Sequence, residues 1–411
     1  MGMPPRFAML AVWLAAALPA AVVAQQGAVV PPPAGARSLE VETDGAPVVL
    51  EPREGAERRG TVGEGTRLPL GERLYGEGCA EGVWYQIGER AHICQEHVRY
   101  SAEPPGGAPV LQVPPGEVLP QRYAFVRWDA ARAFAHPSHY FADDYREAFG
   151  KGFGLVVTGR STYEGVPFAR TRSGLWIQRD ALRWARGSRF QGVELDDSEG
   201  EALDMGWVLA EGAPVREKPA GRVTRRAGRR EVVRVSDARG RWLRLRDGGW
   251  MRARRVARAT GAEPPEQVEN GDRWVDVDLG EQVMVAYEGR RPVYATLVST
   301  GRRLRTHRTP KGTFRTWVKL AYSDMDDLER EDVSRNYMIE QVPWVQYFEG
   351  AIGFHAAFWH DDFGRRRSHG CVNLAPRDAR WLFDFTRPEL PEGWQAILPT
   401  ERNPGTVVRV R

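Results

Sequence analysis

The sequence predicts a mainly β protein: small β-barrel modules, then a larger strand-rich C-terminal region with short helices. Three observations predict it. Short alternating runs bounded by Gly, Pro and Asp-Gly turns recur without a helical period. One such unit is reused along the chain. Past residue 270, three alternating segments follow one another closely.

At the N-terminus, residues 7–23 (FAMLAVWLAAALPAAVV) form an apolar core after Arg6, and Val22-Val23-Ala24 supplies the small residues of a cleavage site. Residues 1–24 therefore read as a secretory signal peptide, with a linker at 25–37. The alternative is a retained membrane anchor, but the run is short for a bilayer and Pro19 breaks it. No cysteine follows the run as a lipoprotein would require. The expected location is outside the cytoplasm, in a periplasm or cell wall.

The length of 411 residues suggests two to four domains. The formal charge of +4 is mild, and its cations are nearly all arginine, with lysine at 151, 218, 311 and 319. The chain has no basic helix or long lysine tract, so nucleic acid is not an expected partner.

In the module at 38–103, Leu39-Glu-Val-Glu-Thr43 alternates, Asp44-Gly45 turns, and Pro47-Val-Val-Leu50 resumes. Val83–Ile87 and Ala91–Cys94 flank Gly88-Glu89-Arg90 as a hairpin. A second copy at 205–260 repeats the pattern. Ala46-Pro47-Val48 then Pro52 matches Ala213-Pro214-Val215 then Pro219, and Trp84–Val98 parallels Trp242–Val256. The segment at 119–200 reads as a divergent copy or a mixed module, with a helical turn over Ala142–Phe149. Its Tyr140, Phe141, Tyr145 and Phe153 read as core packing, with an aromatic glycan or peptide groove as the alternative.

In an exported chain, Cys79 and Cys94 are a disulfide pair and Cys371 is the odd thiol. A Zn site using His92 and His97 competes with that pairing, but the cysteine spacing lacks the CxxC form, so no metal is expected.

In the C-terminal region, Trp274–Leu279, Gln282–Tyr287 and Val293–Val298 read as strands. They are followed by Ser299-Thr300-Gly301 and by Thr309-Pro310-Lys311-Gly312-Thr313-Phe314. An acidic cluster (Asp324, Asp326, Asp327, Glu329, Glu331, Asp332) reads as a solvated loop. Ala375–Phe383 reads as a short helix with Pro376 in its first turn.

The stretch Gly353–Leu374 (GFHAAFWHDDFGRRRSHGCVNL) concentrates the chemistry. A thiol is a poor nucleophile until it loses its proton, so Cys371 needs a base or cation nearby, and His355 and His369 are the candidates. Gly370 lets backbone N–H groups approach a substrate carbonyl. Tyr337, Trp344 and Trp359 are placed along the substrate cleft, and His360 reads as a locally packed residue.

A histidine, a loop and then Ser368-His369-Gly370-Cys371-Val372-Asn373 resemble the L,D-transpeptidase family (YkuD-type catalytic domain). The order strand, Ser-Thr-Gly, loop, Thr-Pro-Lys-Gly extends that resemblance over about residues 270–400. The barrel segments resemble bacterial SH3-like modules. The resemblance implies a β-sandwich catalytic domain in which Cys371 is the nucleophile and His355 the base. His355 would be oriented by the Ala356 carbonyl. His369 and Gly370, with Ser368 and Asn373, would shape the site. The oxyanion would be held by N–H groups of His369, Gly370 and Cys371. The resemblance further implies peptidoglycan stem peptides as substrates, 3–3 crosslinks as product, and no cofactor. Glycan strands or envelope proteins are the expected partners of the SH3-like modules. Two alternatives remain open: an L,D-carboxypeptidase or crosslink endopeptidase of the same site, and a non-enzymatic wall-binding protein.

Overall fold

Short alternating runs can bury one face only by curling onto each other, and here they close into three barrels of one topology. The computed structural model describes residues 32–107, 110–196, 203–326 and 337–411. The expected signal peptide, most of the linker at 25–37, and Asp327, Glu329, Glu331 and Asp332 of the acidic cluster lie outside the described residues.

In the first barrel, Ser38–Val41 pairs antiparallel with both Arg67–Pro69 and Val98–Ser101. Ala46–Val49 pairs with Arg58–Val62 and Ala91–Cys94. Leu39, Val41, Val48, Val62, Tyr85 and Ile93 fill its interior. The opening strands Tyr123–Val126 and Met205–Val208 make the equivalent two pairings in the second and third barrels. In each barrel a 3-10 turn precedes the last strand: Gln95–His97, Arg179–Ala181 and Ala253–Arg255. The middle segment thus repeats the pairing order of its neighbours.

Its local details differ from the sequence expectation. The helical turn lies at Pro137–Tyr140, and Glu147–Phe149 is instead a strand paired with Ala131–Phe134, which buries Phe149. Tyr140 packs edge-on against Phe134 and Phe168, while Phe141 and Tyr145 are exposed. Cys79 and Cys94 are joined as a disulfide across the first barrel, and Cys371 is the free cysteine.

The C-terminal region is a sandwich of two sheets. One runs, in spatial order, Val193–Glu194, Arg291–Leu297, Val283–Glu288, Arg273–Asp278, Val407–Val410 and Gly312–Arg315. In the other, Met338–Glu349 pairs with Val318–Asp326 and Ile352–Ala356, and the latter pairs with Val372–Leu374. Val275, Met284 and Val408 from one sheet meet Phe348, Phe354 and Val372 from the other. Each such side chain, fully buried, stabilises the fold by about 1.5–3 kcal/mol.

The helix Pro376–Phe385 covers one face of this core with Ala379, Leu382 and Phe383, the positions its amphipathic pattern predicts. Pro376 sits in the first turn, where its missing N–H costs nothing. Buried Lys319 ends the helix by donating to the carbonyls of Phe383 (2.7 Å) and Thr386 (2.9 Å). Among the described residues no helix is long and apolar enough to cross a membrane.

All three barrels dock on the sandwich. Arg58–Val62 of the first barrel pairs with Trp394–Ile397, so one sheet runs from barrel to sandwich. Tyr123 and Phe125 of the second barrel pack on Phe358, at 4.1 and 6.0 Å between ring centroids. Met205 and Trp207 of the third share a core with Trp274, Val283 and Val285.

Candidate active site

The site begins with a strand pairing. Ile352–Ala356 and Val372–Leu374 run parallel, with His355 opposite Asn373 and Phe354 opposite Val372. Residues that face each other across a ladder project to the same side, as do alternate residues along a strand. Asn373 and His355 therefore share one face, and Cys371 lies in the turn immediately before the strand Val372–Leu374. The backbone N–H of Gly353, two residues before His355 on the neighbouring strand, faces the Cys371 thiol.

The imidazole is buried and its Nδ1–H donates to the Ala356 carbonyl at 3.3 Å, which leaves the Nε2 lone pair available as a base. Burial pushes this imidazole down to about 4, while the hydrogen bond to Ala356 opposes that shift. Burial pushes the Cys371 thiol above its ordinary value, opposed by a backbone N–H of Gly353. Near neutral pH the site thus holds a neutral thiol and a neutral imidazole.

The turn carrying the thiol is tied down from several directions. Gly370 has φ 141°, in a region that L side chains rarely adopt, and an added Cβ would press on Ile352 at 3.3 Å. Thr309 Oγ1 donates to the Gly370 carbonyl (2.6 Å) and accepts from the Gly301 N–H (2.9 Å). One hydroxyl therefore joins the Ser-Thr-Gly, Thr-Pro-Lys-Gly and Ser-His-Gly-Cys motifs. Gln282 clamps the same loop, accepting from the Thr300 N–H and donating to Thr300 Oγ1. Ser368 Oγ donates to the Cys371 carbonyl and accepts the Gly370 N–H at 3.1 Å. That last bond corrects one expectation: the Gly370 N–H already has a partner within its own turn and does not face an oxyanion.

His369 is exposed and its Nε2 accepts from Arg302 (2.8 Å). Its ring lies 4.4 Å from that of His307 and is stacked with Tyr337 at 5.6 Å. These contacts suit a residue that shapes the site rather than the base. Trp359 stacks with His355 at 5.6 Å. Trp344 does not line the cleft. The strand Met338–Glu349 is covered on both faces from residue 341 to 346, and Trp344 lies in the sandwich core.

Sequence reasoning missed the support behind Asn373. His360 is buried, and its ring is pushed down to about 4 by burial and then by Arg367, so it is neutral. Its Nδ1 accepts the Asp362 N–H at 3.2 Å, which places the ring proton on Nε2, 3.0 Å from the Asn373 amide. An N–H there requires the amide oxygen, not the nitrogen, as its partner. This orientation also satisfies the buried Asn373 Oδ1 that otherwise has none. Of the arginines in the loop, Arg366 holds the carbonyls of Gly301 and Leu279, and Arg367 pairs with Asp362. The signal that was available for Arg302, His307 and Thr309 is their place inside or beside the Ser-Thr-Gly and Thr-Pro-Lys-Gly motifs.

Residues 272–410 match the family profile for the YkuD L,D-transpeptidase catalytic domain. This segment is an L,D-transpeptidase catalytic domain. A provisionally named L,D-transpeptidase, YciB of Bacillus subtilis (strain 168), is 26% identical over 150 residues, covering 34% of this chain and 71% of its own length. The crystal structure of a Cys-to-Ser variant of Enterococcus faecium L,D-transpeptidase aligns with 23% identity and a TM-score of 0.26, over 34% of this chain and 50% of that one. L,D-transpeptidase 3 of Mycobacterium tuberculosis aligns with 16% identity and a TM-score of 0.28, over 34% and 60%. The chain thus spans about half the length of the Enterococcus structure it matches.

Proposed function

We propose that this protein is an exported cysteine acyltransferase that forms 3–3 crosslinks between peptidoglycan stem peptides. The observation that carries this reading is the placement of Cys371 directly before the strand that runs parallel to the His355 strand, with the Gly353 N–H facing the thiol and His355 Nδ1 tied to Ala356. The L,D-transpeptidase family acts on peptidoglycan peptides, which supports the substrate class.

In the first half-reaction Cys371 Sγ bonds to the donor carbonyl carbon as its proton passes to His355 Nε2. The C–N bond then breaks and His355 returns that proton to the departing amine of the terminal D-alanine. In the second half, an acceptor amine attacks the thioester, its proton moves to His355, and the C–S bond breaks to restore the thiol. The N–H groups of His369 and Cys371 are the proposed oxyanion donors, now without Gly370. Because the resting thiol and imidazole are both neutral, the thiol proton moves to His355 as the S–C bond forms. In this reading the three barrels act as SH3-like modules that hold glycan strands or envelope proteins, and the signal segment directs export.

The test is mass spectrometry of products from disaccharide-tetrapeptide, with Cys371→Ala as control. A Cys371-dependent crosslinked dimer with loss of D-alanine is expected. Release of D-alanine without dimer would replace the transferase with a carboxypeptidase.

A further inference from the structure

The three barrels share one turn, and the third fills it differently. In each, the last residue of the opening strand accepts the N–H of a left-handed turn residue: Val41 from Gly65 (2.8 Å), Val126 from Gly152 (2.8 Å) and Val208 from Arg230 (2.7 Å). The φ angles there are 78°, 89° and 67°. Glycine adopts this region freely and L side chains do not. An arginine held where the sister barrels have glycine points to a contact that its side chain makes.

That contact is the loop between His355 and Ser368. Arg230 Nη2 donates to the Asp361 carbonyl (2.8 Å) and carboxylate (2.6 Å), and Arg229 donates to the same carbonyl and, at 3.1 Å, to the carboxylate. Arg230 also lies over the Phe190 ring at 4.7 Å, and Phe190 is stacked with Phe363 at 6.3 Å. The Asp361 carbonyl and the Asp362 N–H belong to one planar peptide group, so holding the oxygen fixes the direction of the N–H. That N–H donates to His360 Nδ1 at 3.2 Å, and His360 Nε2 meets the Asn373 amide at 3.0 Å. Asn373 stands opposite His355 in the strand register. While Nδ1 accepts the peptide N–H it cannot take a proton, so the peptide keeps His360 neutral. The charged and titratable groups around this ring are Arg367, Asp362, His355 and Asp361. A cation at His360 would oppose the charge that His355 acquires on taking a proton.

We propose that Arg230, with Arg229, is a positioning residue of the acyl-transfer site: it orients the Asp361–Asp362 peptide, which holds His360 as the neutral Nε2–H tautomer and fixes Asn373 beside the general base. The third barrel is then part of the frame of the catalytic loop. This inference deepens the acyl-transfer reading, and its kinetic test rests on that reading.

The experiment is nitrogen-15 NMR of the histidine rings of the full chain, with His360 assigned by His360→Gln, beside steady-state turnover of disaccharide-tetrapeptide. In the wild type His360 should be the neutral Nε2–H tautomer from about pH 5 to 8. In Arg229→Gln/Arg230→Gln it should mix tautomers or titrate in that window. The kcat of this variant should fall about tenfold or more with KM within about twofold, since neither arginine touches substrate. Arg239 pairs with Asp237 at 2.7 Å in the same barrel, away from the loop, so Arg239→Gln should change neither spectrum nor kcat. An Nδ1–H tautomer or an imidazolium in the wild type, an unchanged His360 signal or a retained kcat in the double variant, or an equal loss in Arg239→Gln would each overturn the proposal. If the double variant does not fold, Arg230→Gln alone decides, because Arg229 still holds Asp361. Should the wild type turn over no substrate, the acyl-transfer reading fails while the spectra still decide this one.

Discussion

His355 and Cys371 acquire their properties from burial, which acts in opposite directions on their two pKa values. An imidazole lowered to about 4 is uncharged throughout the neutral range, so it offers no cation to stabilise a thiolate. The thiol, raised above its ordinary value, ionises only as pH climbs past that value. Alkylation of Cys371 by iodoacetamide should therefore rise steadily with pH through and beyond the ordinary thiol range. A rate already at its plateau near pH 6 would mean a thiolate–imidazolium ion pair and would refute the neutral resting state. The residue types were legible because the Ser-His-Gly-Cys motif is local. The His360–Asn373 pair was not, since only folding brings an interior loop residue against a strand residue thirteen positions on.

At the scale of elements, the thiol-bearing turn is held by contacts between loops far apart in sequence. Thr309 connects Gly301 to Gly370 with one hydroxyl. Thr309→Val keeps the shape but strands a buried N–H and a carbonyl, which should cost about 1–3 kcal/mol in urea unfolding. It should also slow Cys371 alkylation by loosening the turn. An unchanged midpoint together with an unchanged alkylation rate would show that the hydroxyl couples nothing. Strands and the helix at Pro376–Phe385 were readable from period and caps. Trp344 was misplaced because a strand buried on both faces has no outward side, and alternation cannot reveal a second covering layer.

Across the whole molecule, all three barrels join the sandwich, two of them at the loop between His355 and Ser368. Phe358 is packed by Tyr123 and Phe125 of the second barrel, and Asp361 is paired with Arg229 and Arg230 of the third. The second and third barrels thus each hold the segment between His355 and Ser368. The first barrel joins through strand pairing at Gly60, where an added Cβ would lie 2.3 Å from the Ala396 carbonyl and 2.7 Å from the Trp394 ring. Gly60→Val should push the barrel off the sandwich at a cost of about 1–3 kcal/mol and split a single calorimetric transition in two. A single transition at the original temperature would mean that this pairing is not what couples them.

The sequence by itself determined the β class, the reuse of one barrel unit and the motif residues of the L,D-transpeptidase catalytic domain. Each of these is written in short-range spacing: alternation, turn residues, and a cysteine beside histidine and glycine. Tertiary structure alone decided which groups are buried and which N–H groups are already bonded. It placed His355 in a site that removes its charge, brought the Thr309 hydroxyl onto the Gly370 carbonyl, and set Tyr123 and Phe125 against Phe358. Desolvation and hydrogen-bond satisfaction depend on every atom that surrounds a group, and those atoms come from segments hundreds of residues apart. No local pattern encodes them.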